Sequence, residues 1–387
     1  MKSRKISRGL RDLLPPELKV RRFMEEKAAA LFASYAYEEV MTPTFEYLEV
    51  VEMGTGGNIR EELFLFMDRE GGILSLRPEM TTGIARLAAT HLRDAVFPQR
   101  LYYLSNSFRY VQPHLAQYRE FWQAGIELLG AEGVRADAEV ITIAVKALQE
   151  MGLDNFKISL NQIAIFNSLL DDSGLNREEK DCIRSLVENK DLVELSRVLE
   201  SLDIDDELKE TIAILPVLHG GIEVLKRLPY VEKNQRALAA VQELREVYET
   251  LQLCGVIDHI VVDMGVLRGL DYYTGTVFEG YSPELGYGLL GGGRYDHLLG
   301  KFGFPCPATG FALGMDRLAL LLKHPALQKA PRYLVGGKDF AAVIARAEEL
   351  RKQGFAVEID VEGKSRQELE RKLEGRENCI TGGLIYV

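Results

Sequence analysis

Three consecutive glycines, Gly291-Gly292-Gly293, constrain this chain more than any other feature. They follow a strand-like segment, Thr276 to Gly280, and run into Arg294-Tyr295-Asp296. Glycine in such a setting leaves the backbone bare, so a ligand can come close to it. Just upstream, after an apolar run from Ile257 to Met264, stands Leu267-Arg268-Gly269-Leu270-Asp271-Tyr272-Tyr273-Thr274-Gly275. An arginine can clamp a carboxylate through two hydrogen bonds. Tyrosine offers a flat apolar face and a polar tip. Arg268, Asp271, Tyr272 and Tyr273 together suit a small amphoteric ligand such as an amino acid. The plainer alternative is a polar-decorated hairpin in a core, and this stretch alone leaves both open.

The length, 387 residues, is enough for two or three domains. No apolar run of about 18 residues occurs, and the basic start Met1-Lys2-Ser3-Arg4-Lys5 leads into no apolar segment. Neither a membrane span nor a signal peptide is expected. Cys182, Cys254, Cys306 and Cys379 are far apart, which argues against a zinc knuckle or disulfide framework and for a reducing, cytoplasmic setting. The six histidines are scattered singly, so no metal site is expected. A net charge of −11 lowers the expectation of nucleic-acid binding, although a local basic patch could still serve it.

Along the chain, Gly9 to Glu17 reads as an extended entry to a helix from Glu17 to Tyr35, followed by a strand at Tyr37 to Met41 that Pro43 stops. Leu63 to Leu76 reads as a hairpin turning at Gly71-Gly72. Arg77-Pro78-Glu79-Met80-Thr81 then opens a helix from Thr82 to Leu92, which puts Glu79 and Thr81 at its N-terminus. They could simply cap it. Arg100 to Phe108 and Phe121 to Leu129 read as strands flanking a polar loop. Gln123, Gly125 and Glu127 share one strand face, either a solvated surface or, with Arg109 near, a pocket wall. A helix from Asp137 to Met151 and a strand from Phe156 to Leu160 follow. Residues 165 to 250 take helical spacing, lose their strands and gain charge, as a helical insertion would. Thr309 to Leu318 passes into a helix, His324 to Arg332 is a linker, and residues 331 to 387 alternate strand and helix as a small α/β domain.

Over about residues 5 to 323 the chain resembles histidyl-tRNA synthetase. The resemblance rests on the Gly9-to-Pro15 entry, the helix and strand through Pro43, Leu76-Arg77-Pro78-Glu79, Phe108-Arg109 with Tyr118-Arg119-Glu120-Phe121, Arg268-Gly269-Leu270-Asp271-Tyr272-Tyr273, and Gly310 to Leu318, in that order. It implies an α+β fold: the class II aminoacyl-tRNA synthetase-like, mostly antiparallel sheet flanked by helices. Residues 1–323 form that domain, and 331–387 resemble a truncated anticodon-binding domain. It also implies a dimer through the segment around Pro43. By the same resemblance, Glu79 with Thr81 binds the amino group of histidine. Gln123 and Glu127 belong to the same pocket, Arg109 and Arg268 bind near the carboxylate and phosphate, and Tyr272 and Tyr273 pack against the imidazole.

Departures from the family pattern redirect the expected function. Where the family has a glutamate contacting adenine, Val111 stands, and it has no acceptor. Ala116-Gln117 replaces a Gly-Arg pair near the nucleotide phosphates. One lost charged contact costs about 2–3 kcal/mol. The tail beyond Lys323 is short and not basic. In these respects the chain is similar to the synthetase paralogues that regulate ATP phosphoribosyltransferase, the enzyme joining ATP to phosphoribosyl pyrophosphate at the start of histidine biosynthesis. The resemblance then implies a non-catalytic subunit that takes part in histidine feedback inhibition. Its expected partners are a short-form catalytic subunit and L-histidine, in a homodimer within a hetero-oligomer, with no cofactor and no tRNA. A true synthetase with a shortened tail is the alternative.

Overall fold

The computed structural model describes residues 5–55, 57–112, 117–267, 272–322, 331–374 and 380–387. Arg268, Asp271 and Ala116 lie outside the described residues, as does most of the expected linker. The chain divides into two compact units, Met1–Lys323 and His324–Val387.

The first unit begins with α1 (Pro15–Ser34). Pro15 and Pro16 fit a first turn, where no amide donor is needed, and the Glu17 carboxylate accepts the Leu14 N–H at 2.9 Å. After β1 (Glu38–Glu39) come β2 (Phe45–Tyr47), α2 (Leu48–Thr55), β3 (Leu65–Met67) and β4 (Ile73–Leu76). Strands β2, β4 and β3 make a small antiparallel sheet in that order. Next are α3 (Thr81–His91), the long pair β5 (Gln99–Phe108) and β6 (Glu120–Leu129), α4 (Val134–Glu150) and β7 (Lys157–Gln162). The helical stretch holds α5 (Ile163–Asp172), α6 (Arg177–Glu188), α7 (Leu192–Ser201), α8 (Asp206–Ile214), a short β8 (His219–Gly220) and α9 (Gln235–Leu253). The unit finishes with β9 (Ile260–Asp263), β10 (Thr276–Ser282), β11 (Leu285–Arg294), α10 (Leu298–Lys301), β12 (Ala308–Gly314) and α11 (Met315–Leu321).

Nine strands form the main sheet in the order β1-β5-β6-β12-β11-β10-β7-β9-β8. Only the β1–β5 and β7–β9 pairings are parallel, so the sheet is mostly antiparallel, as expected. One expectation fails: strands do not vanish between residues 165 and 250. β8 pairs antiparallel with β9, where His219 faces Asp263. Two residues are too few to leave a period-2 signal, and the pairing satisfies an edge whose amides would otherwise stand open.

Helix α4 covers one face of the sheet. Its Val140, Ile141, Ile143, Val145 and Leu148 are fully buried and each contributes about 1.5–3 kcal/mol. They join Val20, Met24, Ala28 and Phe32 of α1 and Ala124, Ile126 and Leu128 of β6 in the largest core. A smaller core on the opposite face combines Met80, Ile84 and Ala88 around α3 with Leu101, Tyr103, Tyr272, Tyr295 and Leu298.

The second unit is a parallel sheet, β13 (Arg332–Gly336), β14 (Ala356–Ile359) and β15 (Gly383–Tyr386), in the order β14-β13-β15, with α12 (Phe340–Lys352) and α13 (Arg366–Leu373) as crossovers. Val335 packs with Val343 of α12, and Leu334 with Leu369 of α13. Neighbouring strand residues point to opposite faces, so the two helices cover opposite sides. Among the described residues, no helix is long and apolar enough to cross a membrane.

Candidate functional site

The face of the main sheet opposite α4 has an almost bare floor. Tyr103, Gly125, Ala312, Gly291 and Glu279 form one row across β5, β6, β12, β11 and β10. Two positions along, Leu101, Glu127, Gly310, Gly293 and Val277 form the next. Period-2 alternation brings glycines and Glu127 to the same face. Larger groups fill the space the glycines leave. A Cβ on Gly310 would collide with Glu127 Oε2, one on Gly125 with the Tyr103 hydroxyl, and one on Gly293 would stand 2.8 Å from the Tyr273 ring. The glycine triplet was expected to let a ligand approach the backbone. Gly293 instead makes room for Tyr273, and Gly292 for Phe278 and Phe311 on the other face. Gly291 lines open space.

Glu127 is 1% exposed. Its Oε1 accepts the Thr81 hydroxyl at 2.7 Å, and its Oε2 accepts the Tyr295 hydroxyl. Burial pushes the Glu127 carboxyl up to about 8, the two hydroxyl bonds pull against this, and the nearby charge of Glu79 adds to it. Rings of Tyr272 and Tyr273 lie 4.9 Å apart, and Tyr272 meets Tyr295 edge-on at 5.7 Å. Burial raises the Tyr103, Tyr272 and Tyr295 phenols well above their ordinary value, so all three stay neutral donors. Glu79, also buried, accepts the backbone N–H groups of Thr81 at 2.5 Å and Thr82 at 2.9 Å. It therefore caps α3, and each of its oxygens keeps a further lone pair.

Five expected site residues, Glu79, Thr81, Glu127, Tyr272 and Tyr273, thus meet in one cluster. Tyr103 and Tyr295 belong to it as well, and sequence reasoning missed them. Tyr295 stood in view beside the glycine triplet, but its partner Glu127 is 168 positions away. Tyr103 lies directly opposite Gly125 in register.

Arg109 and Gln123 lie farther along the same face, on the wall of an open cavity of about 300 Å³. Val111, Gln117, Phe121, Glu279 and Arg317 also line it. Arg109 Nε donates to Pro78 O at 3.1 Å, which ties it to the segment before Glu79. Gln123 Oε1 accepts the Ser107 hydroxyl at 3.1 Å. Arg317 donates to Gly288 O at 2.7 Å. An N-terminal strap packs on residues of the cavity wall. Gly9 O accepts the Arg119 N–H at 2.9 Å, and Arg11 pairs with Asp316 while its guanidinium lies 4.1 Å over the Tyr118 ring. Asp316 Oδ2 also accepts the Trp122 N–H at 2.7 Å. Arg77 is structural: it is buried and donates to Thr42 O at 2.8 Å, Pro43 O at 3.1 Å and Asn106 O at 2.8 Å.

Comparison with known proteins fits this geometry. The family model described as histidyl-tRNA synthetase matches residues 9–318. A protein from Moorella thermoacetica named ATP phosphoribosyltransferase regulatory subunit is 44% identical over 95% of each chain. One from Methanocaldococcus jannaschii named histidine–tRNA ligase is 37% identical over 92% of this chain and 86% of its own. A solved structure from Bacillus halodurans, described as an ATP phosphoribosyltransferase regulatory subunit/histidyl-tRNA synthetase, superposes with a TM-score of 0.87 at 30% identity, covering 99% of this chain and 98% of that one.

Proposed function

The chain belongs to the histidyl-tRNA synthetase family, and we infer that within it the chain serves as a regulatory subunit of ATP phosphoribosyltransferase rather than as a tRNA-charging enzyme. The observation that carries this is the match along 95% of both lengths to a protein of that name, repeated in further relatives so named. The cavity wall agrees with it. Val111 and Gln117 face the space where a synthetase reads adenine and phosphate, and neither offers a carboxylate or a cation.

In our reading the buried cluster holds L-histidine. Glu127 accepts the imidazole N–H, Glu79 and Thr81 receive the ammonium, and Tyr272 and Tyr273 flank the ring. Each carboxylate oxygen already takes one hydrogen bond and has room for a second. Gln123 and Arg109 border the cavity into which the ligand carboxylate extends. Arg268 enters this assignment through the family resemblance alone. Histidine favours one conformation of the subunit, and the catalytic partner responds to it. Linkage is reciprocal, so the partner alters histidine affinity as much as histidine alters partner affinity.

The working assembly is a homodimer inside a cytoplasmic hetero-oligomer. The small sheet beside Pro43 supports the dimer: it leaves Phe45, Tyr47, Phe66, Met67 and Ile73 exposed, with Met41 at 77% and Met67 at 71%. We read residues 331–387 as a shortened counterpart of an anticodon-binding domain that no longer engages tRNA.

Mixing the purified chain with a short-form catalytic subunit tests the assignment. Co-elution and activation of phosphoribosyl transfer are expected, with no histidine-dependent ATP–pyrophosphate exchange by the chain alone. Exchange at synthetase rates, without activation of the catalytic subunit, would restore the synthetase alternative. Calorimetry with and without the partner tests the linkage, and equal histidine affinities would refute it.

A further inference from the structure

Behind the candidate pocket, on the α4 face of the sheet, sits a buried ion cluster apart from the residues assigned to histidine. Arg294, 4% exposed, closes β11. Its Nε donates to Asp137 Oδ2 at 3.2 Å, and its Nη2 lies 2.7 Å from Asp137 Oδ1. Its Nη1 donates to Asp296 Oδ1 at 3.0 Å and Ala131 O at 3.1 Å, and its Nη2 to Gly133 O at 3.3 Å. Asp137 lies in the first turn of α4. One planar guanidinium thus ties the end of a strand to the start of the helix that covers it. A single-headed ammonium cannot hold all these acceptors at once.

Two consequences reach the other face. Alternation sends the next residue, Tyr295, through the sheet, where its hydroxyl meets Glu127. Tyr295 N–H donates to Ala308 O at 2.7 Å, and Asp296 Oδ1 accepts the Ala308 N–H at 3.1 Å, so the phenol is fixed from both neighbours. The backbone around Arg294 also brackets Thr274, the residue after the tyrosine pair. Thr274 N–H donates to Arg294 O at 2.8 Å, and Asp296 N–H donates to the Thr274 hydroxyl at 3.1 Å.

We propose that Arg294 is the positioning residue of the pocket: its clamp on Asp137, Asp296 and the Ala131–Gly133 turn holds the Tyr295 hydroxyl on Glu127 and the Tyr272–Tyr273 segment beside it. This rests on the reading of the cluster as a histidine site, and it adds a residue that never meets the ligand. Burial of a fully paired arginine serves stability by itself, so the test needs readouts that stability alone does not move.

The variants are Arg294→Lys, which keeps the charge and loses the fork, Tyr295→Phe, and the pair together. Histidine affinity of the folded protein is measured by calorimetry, and the Glu127 carboxyl titration by carbon-13 NMR of glutamate-labelled protein. Each single variant is expected to weaken histidine binding by about tenfold or more, and the double variant little more than Arg294→Lys alone, because the Tyr295 hydrogen bond is one of the contacts the clamp holds. In both, the Glu127 titration moves upward, since the Tyr295 bond that favours the carboxylate is lost. If Arg294→Lys proves too unstable, Asp296→Asn loosens the same clamp with a milder charge change. A lowered melting temperature with histidine affinity within about twofold of the parent and an unmoved Glu127 titration overturns the proposal. A parent protein that binds no histidine defeats the site reading instead, and the Glu127 titration then still decides whether Arg294 positions Tyr295.

Discussion

Glu127→Gln is expected to make the protein more stable and less able to bind histidine. Unfolded, a glutamate titrates near its ordinary value of 4.5, whereas the folded protein holds the Glu127 proton until about pH 8. Between these values the folded state binds more protons than the unfolded one, so rising pH favours unfolding. The slope is about 1.4 kcal/mol per pH unit, and over the whole window the carboxyl removes at most about 5 kcal/mol. Below pH 4.5 both states hold the proton and nothing is lost. Above 8 the loss is complete. Glutamine has nearly the same shape, does not titrate, and still accepts the Thr81 or Tyr295 hydroxyl through its oxygen. Urea denaturation of parent and variant from pH 5 to 9 measures the effect. The stability gap in favour of Glu127→Gln should widen steadily from pH 5 to 8 and then level off. A gap that stays constant with pH would mean that Glu127 ionises normally in the folded protein, which refutes the argument from burial. Histidine binding should fall most above pH 8, where the parent offers a charged acceptor that glutamine cannot. Lower stability together with better binding marks a group kept for its ligand.

Three further outcomes follow from named contacts. Gly310→Ala drives a methyl against Glu127 Oε2 and Ile126 O, so histidine binding measured by calorimetry should drop more than tenfold, with about 1–3 kcal/mol of stability lost in urea. Asn176→Ala removes the cap that accepts the Glu179 N–H at 3.1 Å at the start of α6, and about 1 kcal/mol should disappear from urea denaturation with histidine affinity unchanged. Met67→Glu puts a charge on the small apolar sheet, and sedimentation should show a shift from dimer to monomer.

Local pattern made much of the architecture legible. The helix from Pro15, the β3–β4 hairpin and the long β5–β6 pair follow from apolar periodicity and turn residues. Period 2 was enough to put Gln123, Gly125 and Glu127 on one face. What those side chains do once there was not legible. Glu79 could be read as a cap or as a ligand group, and only the geometry of the α3 amides shows that it caps while keeping spare lone pairs. The glycine triplet looked like room for a ligand, yet Gly292 and Gly293 admit aromatic rings from other strands, a demand made by tertiary packing that no local rule contains. Tyr103 and Tyr295 escaped notice for the same reason, since their importance comes from cross-strand register and from a partner far away in the chain. Arg294 was visible as a charged residue, but its acceptors on α4 and the preceding turn are some 160 positions upstream.

The N-terminal strap packed on the cavity wall has a consequence for how the molecule assembles. Arg11 and Asp316 are separated by 305 positions, and Arg11 also rests on Tyr118, 107 positions away. Loop closure over such spans comes late, after α11, which carries Asp316, has packed on its sheet. The strap is therefore among the last parts of the first unit to become native and, because it makes few buried contacts of its own, among the first to open. Amide hydrogens of the strap and of the Arg119 turn should then exchange together as one small cooperative unit, ahead of the glycine-floored sheet beneath them.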